Sequence, residues 1–367
     1  MITKEQVLAA LSHVQDPDLK KDLVTLGMIS DVEIIGNSIR FRVTLTTPAC
    51  PLKEKIKQDC ENAVKAIAPN AAIDIIMDAQ VSSMRNTNVN ILPSVHNIIC
   101  VASGKGGVGK STVSVNLALA LAEQGAKVGL IDADIHGPSI PLMLGVKGKR
   151  PEVRLIKDKH YIVPLEAHGI KLLSIGLLVD DRQAVVWRGP MVTSALRQFV
   201  TDCIWGKLDY MIVDMPPGTG DVHLTMAQTV NVTGAVIVTT PQEVALADAR
   251  KALSMFRMES INVPVFGVVE NMAYFTPEEL PQNKYYIFGK DGGKKLAMDY
   301  EAPFLGEIPL VQSIREGGDE GLPAIINEKA PLAVKQAFRE IAASLAQNIA
   351  IKAAEKISET PVQTANA

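Results

Sequence analysis

The chain has 367 residues, enough for one large and one small domain. It is 47% hydrophobic and 21% charged, a balance that excludes a disordered chain and fits a well-cored globular one. A net charge of −3 gives no electrostatic basis for binding nucleic acid or an anionic membrane, so neither is expected as a partner.

The N-terminus, MITKEQVLAALSHVQ, lacks the charged-then-apolar run of a signal peptide, and no apolar stretch reaches spanning length without charge or glycine. Thr3 and Gln6 form a capping box for a first helix with Val7, Leu8, Leu11 and Val14 on one face. Two strands follow, Ile29 to Ile35 and Ser38 to Thr46, joined at Gly36-Asn37; alternation of Ile39, Phe41, Val43 and Leu45 with Arg40, Arg42 and Thr44 leaves one face wet. A helix from Pro51 to Ala68 repeats Leu52, Ile56, Cys60 and Val64 every four residues, and Ala72 to Met77 reads as a third strand. Residues 1–80 are therefore a small α+β domain, and the polar stretch from Ser82 to Asn97 shows neither period and reads as a linker over 81–96. From Ile98 apolar strands alternate with helices, the pattern of a doubly wound, mostly parallel α/β sheet spanning 97–350. Strands are expected at 98–103, 127–132, 209–214, 234–240, 264–269 and 304–307, with more between Arg154 and Gly176, and helices at 110–123, 190–204, 243–258 and 331–349. The polar end over 351–367 is expected to be a disordered tail.

Between the first strand and first helix of the large domain runs VASGKGGVGKSTVSVN, Val101 to Asn116. Gly104, four residues, then Gly109-Lys110-Ser111 fits the phosphate-loop pattern. A nucleoside triphosphate needs backbone N–H groups at a helix N-terminus with no Cβ in the way, and Gly104, Gly106, Gly107 and Gly109 remove those Cβ atoms. The binding loop is thus Gly104 to Thr112, with Val108 and Thr112 inside it, Lys110 charged toward the terminal phosphates and the Ser111 hydroxyl placed for Mg²⁺. Lys105 is unusual: it cannot easily approach its own nucleotide from the side of Lys110, but it could reach one held by a second subunit.

Two strands end in carboxylates, where ligands bind in open α/β sheets. In VGLIDAD, Asp134 is the candidate to orient the attacking water and Asp132 to support Mg²⁺ through water. In DYMIVDMPPGTGD, Asp214 is the carboxylate behind Mg²⁺, and Gly218 belongs to a loop whose N–H could sense the γ-phosphate and act as a switch. Asn271 ends the strand VFGVVEN, where its amide can donate to and accept from an adenine edge or simply form a turn. His136 and His223 lie in the two switch loops, where they either touch nucleotide or are simply solvated; the second is the reading favoured.

The string GKGGVGKST, with DADIHGPSIP, WRGPM (Trp187 to Met191), DYMIVDMPPGTGD and TTPQEVALAD, resembles the Mrp/ApbC-type iron–sulfur carriers among the deviant-Walker ATPases, which also include MinD/ParA proteins. DPDLKKDLVTLGMI and LTTPACPLK in the first domain resemble the small domain fused to many of these carriers and found alone in iron–sulfur assembly factors. The resemblance implies ATP binding and slow hydrolysis, an ATP-sandwich homodimer with Lys105 reaching in trans, and delivery of an iron–sulfur cluster to apo-proteins. One departure stands out. The family usually carries Cys-x-x-Cys shortly after the Asn271 position, where this chain has Pro277 and Leu280, which supply no soft ligand; Glu278 and Glu279 are hard ligands only.

Four cysteines remain, Cys50, Cys60, Cys100 and Cys203, with no metal-ligand spacing and thus read as free thiols of a reducing cytoplasm. Cys60, Cys100 and Cys203 fall on apolar faces and read as inert core. Cys50 directly precedes Pro51 and reads as a helix N-cap, where the dipole would lower its pKa; it is either a reactive thiol or transient cluster ligand, or a small buried cap. Three functions follow: an ATP-dependent cluster carrier, a nucleotide-gated adaptor that binds no metal, and a MinD/ParA-like positioning ATPase. The last needs a basic amphipathic anchor or a basic patch, and AIKAAEKISETPVQTANA offers alternating charge with no aromatic anchor.

Overall fold

The computed structural model describes residues 2–81, 83–84, 91–135, 137–178, 189–277, 279–280 and 282–359. The chain divides into two compact units, Met1–Met84 with Ala346–Ala367, and Arg85–Leu345.

In the small unit the capping box at Thr3 forms as expected and starts the helix Lys4–Leu11. The sheet has three strands in the order Ile29–Ile35, Ser38–Leu45, Ala72–Ala79, the first pair antiparallel and the second parallel. Its apolar face packs Phe41 and Val43 against Val7, Leu11, Ile56, Cys60 and Val64 of the two helices. On the wet face Arg40 pairs with Asp74 at 2.8 Å, and Arg42 with Asp31 and Asp78 at 2.7 and 3.0 Å, so the alternation read from the sequence ends in cross-strand ion pairs. The tail does not match expectation: the last helix runs Leu332–Glu359, and residues 360–367 lie outside the described ones. Ile349 and Ala353 are buried, Gln347 donates to Asp18 at 2.6 Å and Lys356 to the Met84 carbonyl at 2.9 Å. The part of the expected tail over 351–359 is therefore helical, with Ala353 buried and Lys356 bonded within the small unit.

The large unit holds an eight-stranded sheet in the spatial order Leu165–Ala167, Ile170–Ser174, Val128–Asp132, Leu208–Asp214, Val95–Ala102, Gly234–Thr239, Val265–Phe275, Phe304–Leu310. All neighbours are parallel except the first pair. The strand Val95–Ala102 sits near the middle, so the loop that follows it opens at the carboxyl edge of the sheet between two flanking strands. The linker expectation overruns this strand: Val95 and Asn97 are buried and in register with Leu208 and Tyr210, while residues 82 and 85–90 lie outside the described ones. Of the strands expected between Arg154 and Gly176, Val153–Ile156 and Lys159–Ile162 form a separate exposed hairpin. The helices Asp221–Thr229, Gly292–Asp299 and Gln312–Glu320, each of eight or nine residues, were not expected.

Candidate nucleotide site

The helix Lys110–Glu123 buries residues on every side, from Val113 to Leu121, which holds its N-terminus rigidly at the sheet edge. Gly107 and Gly109 both have φ near +80°, the left-handed region that lets the loop turn into the helix. Two of the glycines also make room for protein, a role the phosphate pattern does not announce. A Cβ on Gly104 would collide with the Asp248 carbonyl, and one on Gly109 with the Asn271 side-chain amide. Lys105, Gly106 and Gly107 are exposed, and Val108 is buried.

Asp214 is the hub. It is fully buried, and its Oδ2 accepts from Lys110 Nζ at 2.8 Å and from Ser111 Oγ at 2.6 Å. Ser114 Oγ lies 2.6 Å from Asp214 Oδ1 and 3.0 Å from the Lys110 carbonyl; its single proton favours the carboxylate, the stronger acceptor. Ser114 was missed from the sequence, although it stands one helical turn after Lys110 and so on the same face. Asp132, behind the pair, accepts from Ser174 Oγ at 2.9 Å and from the Asp134 N–H at 3.2 Å. Burial, reinforced by the Asp214 charge, pushes the Asp132 carboxyl up to about 8. Asp134 is half-buried with Oδ2 3.7 Å from Lys110 Nζ. The expected residues Lys110, Ser111, Asp132, Asp134 and Asp214 thus converge on one place. Their oxygens are the hard donors that suit Mg²⁺.

Two other residues stand differently from expectation. Asn271 is buried and its Nδ2 donates to the Val108 carbonyl at 2.8 Å, so its amide also ties down the phosphate loop. Next to it, buried Glu270 accepts from the Gly293 N–H at the start of the helix Gly292–Asp299. His223 is 2% exposed, not solvated. The Gly218 N–H donates to the Ser103 carbonyl at 2.9 Å, which ties the loop after Asp214 to the phosphate loop. His136, Trp187 and Glu278 lie outside the described residues.

The cysteines separate as follows. Burial pushes the thiols of Cys60, Cys100 and Cys203 up to about 12. Cys50 is not the helix cap: the helix begins at Lys53 with Leu52 as N-cap. Burial raises its pKa too, with the charges of Asp18 and Asp16 adding to the effect, so the lowered value expected from a dipole is reversed. Pro277 and Leu280 sit in a loop closed by paired backbone bonds between Phe275 and Tyr285, each 2.8 Å, and Leu280 is exposed. Among the described residues no group of three or more His, Cys, Asp or Glu side chains could hold a metal ion. Among them, too, no helix is long and apolar enough to cross a membrane.

Comparison with known proteins agrees with this geometry. Residues 94–346 match the family described as NUBPL iron-transfer P-loop NTPase, and residues 4–75 match that described as iron-sulfur cluster assembly protein. An iron-sulfur cluster carrier protein of Synechocystis sp. is 47% identical, covering 96% of this chain and 99% of its own length. One from Deinococcus radiodurans is 49% identical, covering 98% of each. Among solved structures, a nucleotide-binding protein in complex with ADP from Archaeoglobus fulgidus is 37% identical with a TM-score of 0.56, over 66% of this chain and 96% of its own. With a phosphate loop, buried carboxylates at two strand ends and relatives matched along nearly its whole length, the chain belongs to the P-loop NTPase family of iron–sulfur cluster carriers.

Proposed function

We propose that the protein is an ATP-binding, ATP-hydrolysing homodimer that carries or scaffolds iron–sulfur clusters for delivery to apo-proteins. The observation that carries the nucleotide part is the clasp of Lys110, Ser111 and Ser114 on Asp214. A buried carboxylate beside a buried lysine is a site whose charges are already in place for a polyphosphate and its counter-ion. On ATP binding, Lys110 turns from Asp214 to the β- and γ-phosphates, and the N–H groups at the start of its helix donate to the phosphate oxygens. Mg²⁺, when bound, would neutralise charge on the phosphates, with Ser111 as ligand and Asp132 and Asp214 behind. Asp134 orients the water in line with the γ-phosphate. Exposed Lys105 reaches across to the nucleotide of a second copy.

The cargo is less well provided for. Thiolates are the ligands a cluster needs, yet burial raises the pKa of all four thiols, and Pro277 and Leu280 supply none. These observations favour a second reading, a nucleotide-gated adaptor in cluster assembly that holds no cluster itself; Cys50, the one half-buried cysteine, is the remaining direct ligand. Protein purified without air separates the two. The carrier reading expects bound iron and sulfide that fall in C50S; metal-free protein that still turns over ATP supports the adaptor. Turnover that survives K110A removes the nucleotide assignment altogether.

A further inference from the structure

We infer that His223 is a positioning residue of the nucleotide switch: a latch that closes on a backbone carbonyl of the Pro216–Gly220 loop when the γ-phosphate draws that loop in. The inference rests on the ATP-switch reading above and names the side chain that couples the loop to the third phosphate.

His223 lies in the helix Asp221–Thr229, directly after the loop that carries Gly218. Its ring meets Phe256 edge-on, with centroids 6.5 Å apart. Among the described residues neither Nδ1 nor Nε2 has a hydrogen-bond partner, although the side chain is 2% exposed. Such a group costs free energy until it finds a partner. Burial holds its pKa below the ordinary histidine value, the Lys110 charge acts in the same direction, and the carbonyls of Gly220 and Pro216 oppose both. The ring is therefore neutral, with one N–H to donate. Those two carbonyls are near enough to act on the ring's titration as weak acceptors, yet neither meets full hydrogen-bond geometry with it.

Both carbonyls belong to the segment that a γ-phosphate would move. This segment is held by the Gly218 N–H on the Ser103 carbonyl, and Pro217 stands close to Gly106 of the phosphate loop. Gly218 has φ +93°, which only glycine adopts without strain, so the loop can pivot there. Transferring that N–H from Ser103 to a phosphate oxygen shifts the carbonyls on either side of it. A ligand moves a two-state equilibrium only through a difference in free energy between the states. An unpartnered imidazole in one state and a bonded one in the other is such a difference, and ADP, lacking the third phosphate, does not call on it.

The test compares H223F and H223Q with the wild type by titration with Mg²⁺–AMPPNP and with ADP, alongside thermal unfolding of the nucleotide-free proteins. Phenylalanine keeps the edge contact with Phe256 and removes the N–H. The expected result is a loss of about tenfold in AMPPNP affinity, with ADP affinity within about twofold of wild type and no fall in unfolding temperature. Glutamine, which restores a donor, is expected to recover most of the loss. An unchanged AMPPNP-to-ADP ratio in H223F overturns the inference. So does an equal loss of both nucleotides in H223F and H223Q with lowered stability, since that is the mark of packing alone. If H223F does not fold, H223L carries the same comparison. Wild-type protein that binds neither nucleotide brings down the switch reading itself, a different failure from a wild-type-like H223F.

Discussion

Asp132 and Asp214 stand side by side at the ends of adjacent strands, Ser174 and Lys110 being their respective partners. Of the two, only Asp214 has a cation in contact. Burial, reinforced by the Asp214 charge, pushes the Asp132 carboxyl up from the ordinary aspartate value of 3.8 to about 8, so the folded protein holds a proton that the unfolded chain releases. Stability in the absence of nucleotide and Mg²⁺ is therefore greatest below the unfolded value and declines as pH rises from 3.8 through about 8, flattening above. Urea unfolding in EDTA across that range is expected to show the slope, and D132N to abolish most of it. None of this was legible at single positions. Asp132 and Asp214 are both strand-end aspartates in the sequence, and their difference comes from Lys110, Ser174 and Ser114, which the fold brings up from distant segments. The same holds for Cys50, where a local rule of helix capping gave the wrong sign because the helix starts at Lys53 and Asp16 and Asp18 lie near the thiol.

Elements locate the site because strand and helix each end where the next part begins. The strand Val95–Ala102 delivers the loop, the helix Lys110–Glu123 receives it, and the helix Glu243–Arg257 limits how far it can spread. Gly104 lies against the Asp248–Ala249 backbone of that last helix. G104A must therefore displace either the loop or the helix, and is expected to cost about 2 kcal/mol or more, measured by urea unfolding of the nucleotide-free protein. A merely phosphate-facing glycine would leave that stability unchanged. Gly109 meets Asn271 in a similar way, and the bond from Asn271 to Val108 contributes about 1 kcal/mol to loop order. Strands and the phosphate loop were readable because apolar runs and glycine spacing are local signals. The helices Asp221–Thr229 and Gly292–Asp299 were not: they are short, and contacts with neighbouring elements, such as Glu270 on Gly293, support them.

For the whole molecule the open question is the second copy. Lys105 is exposed while Lys110 is buried, as two lysines must be if one serves its own nucleotide and the other a neighbour's. On the homodimer proposal the wild type is expected to dimerise with Mg²⁺–ATP by light scattering, and K105A to bind ATP near normally, remain monomeric and lose most hydrolysis; a monomeric mutant with normal turnover would remove the in-trans role. The polar C-terminal end, expected to be disordered from residue 351, instead continues the last helix to Glu359 as part of the small unit, with Ala353 buried. By itself the sequence determined the parallel sheet, the phosphate loop and the carboxylates at two strand ends, since each depends on spacing within a few residues. Only the tertiary structure decided which partner each carboxylate has, that Asn271 holds the loop, that His223 is buried and that the thiols resist ionisation. Those properties depend on neighbours remote in the chain and on exclusion of water, neither of which a local pattern encodes.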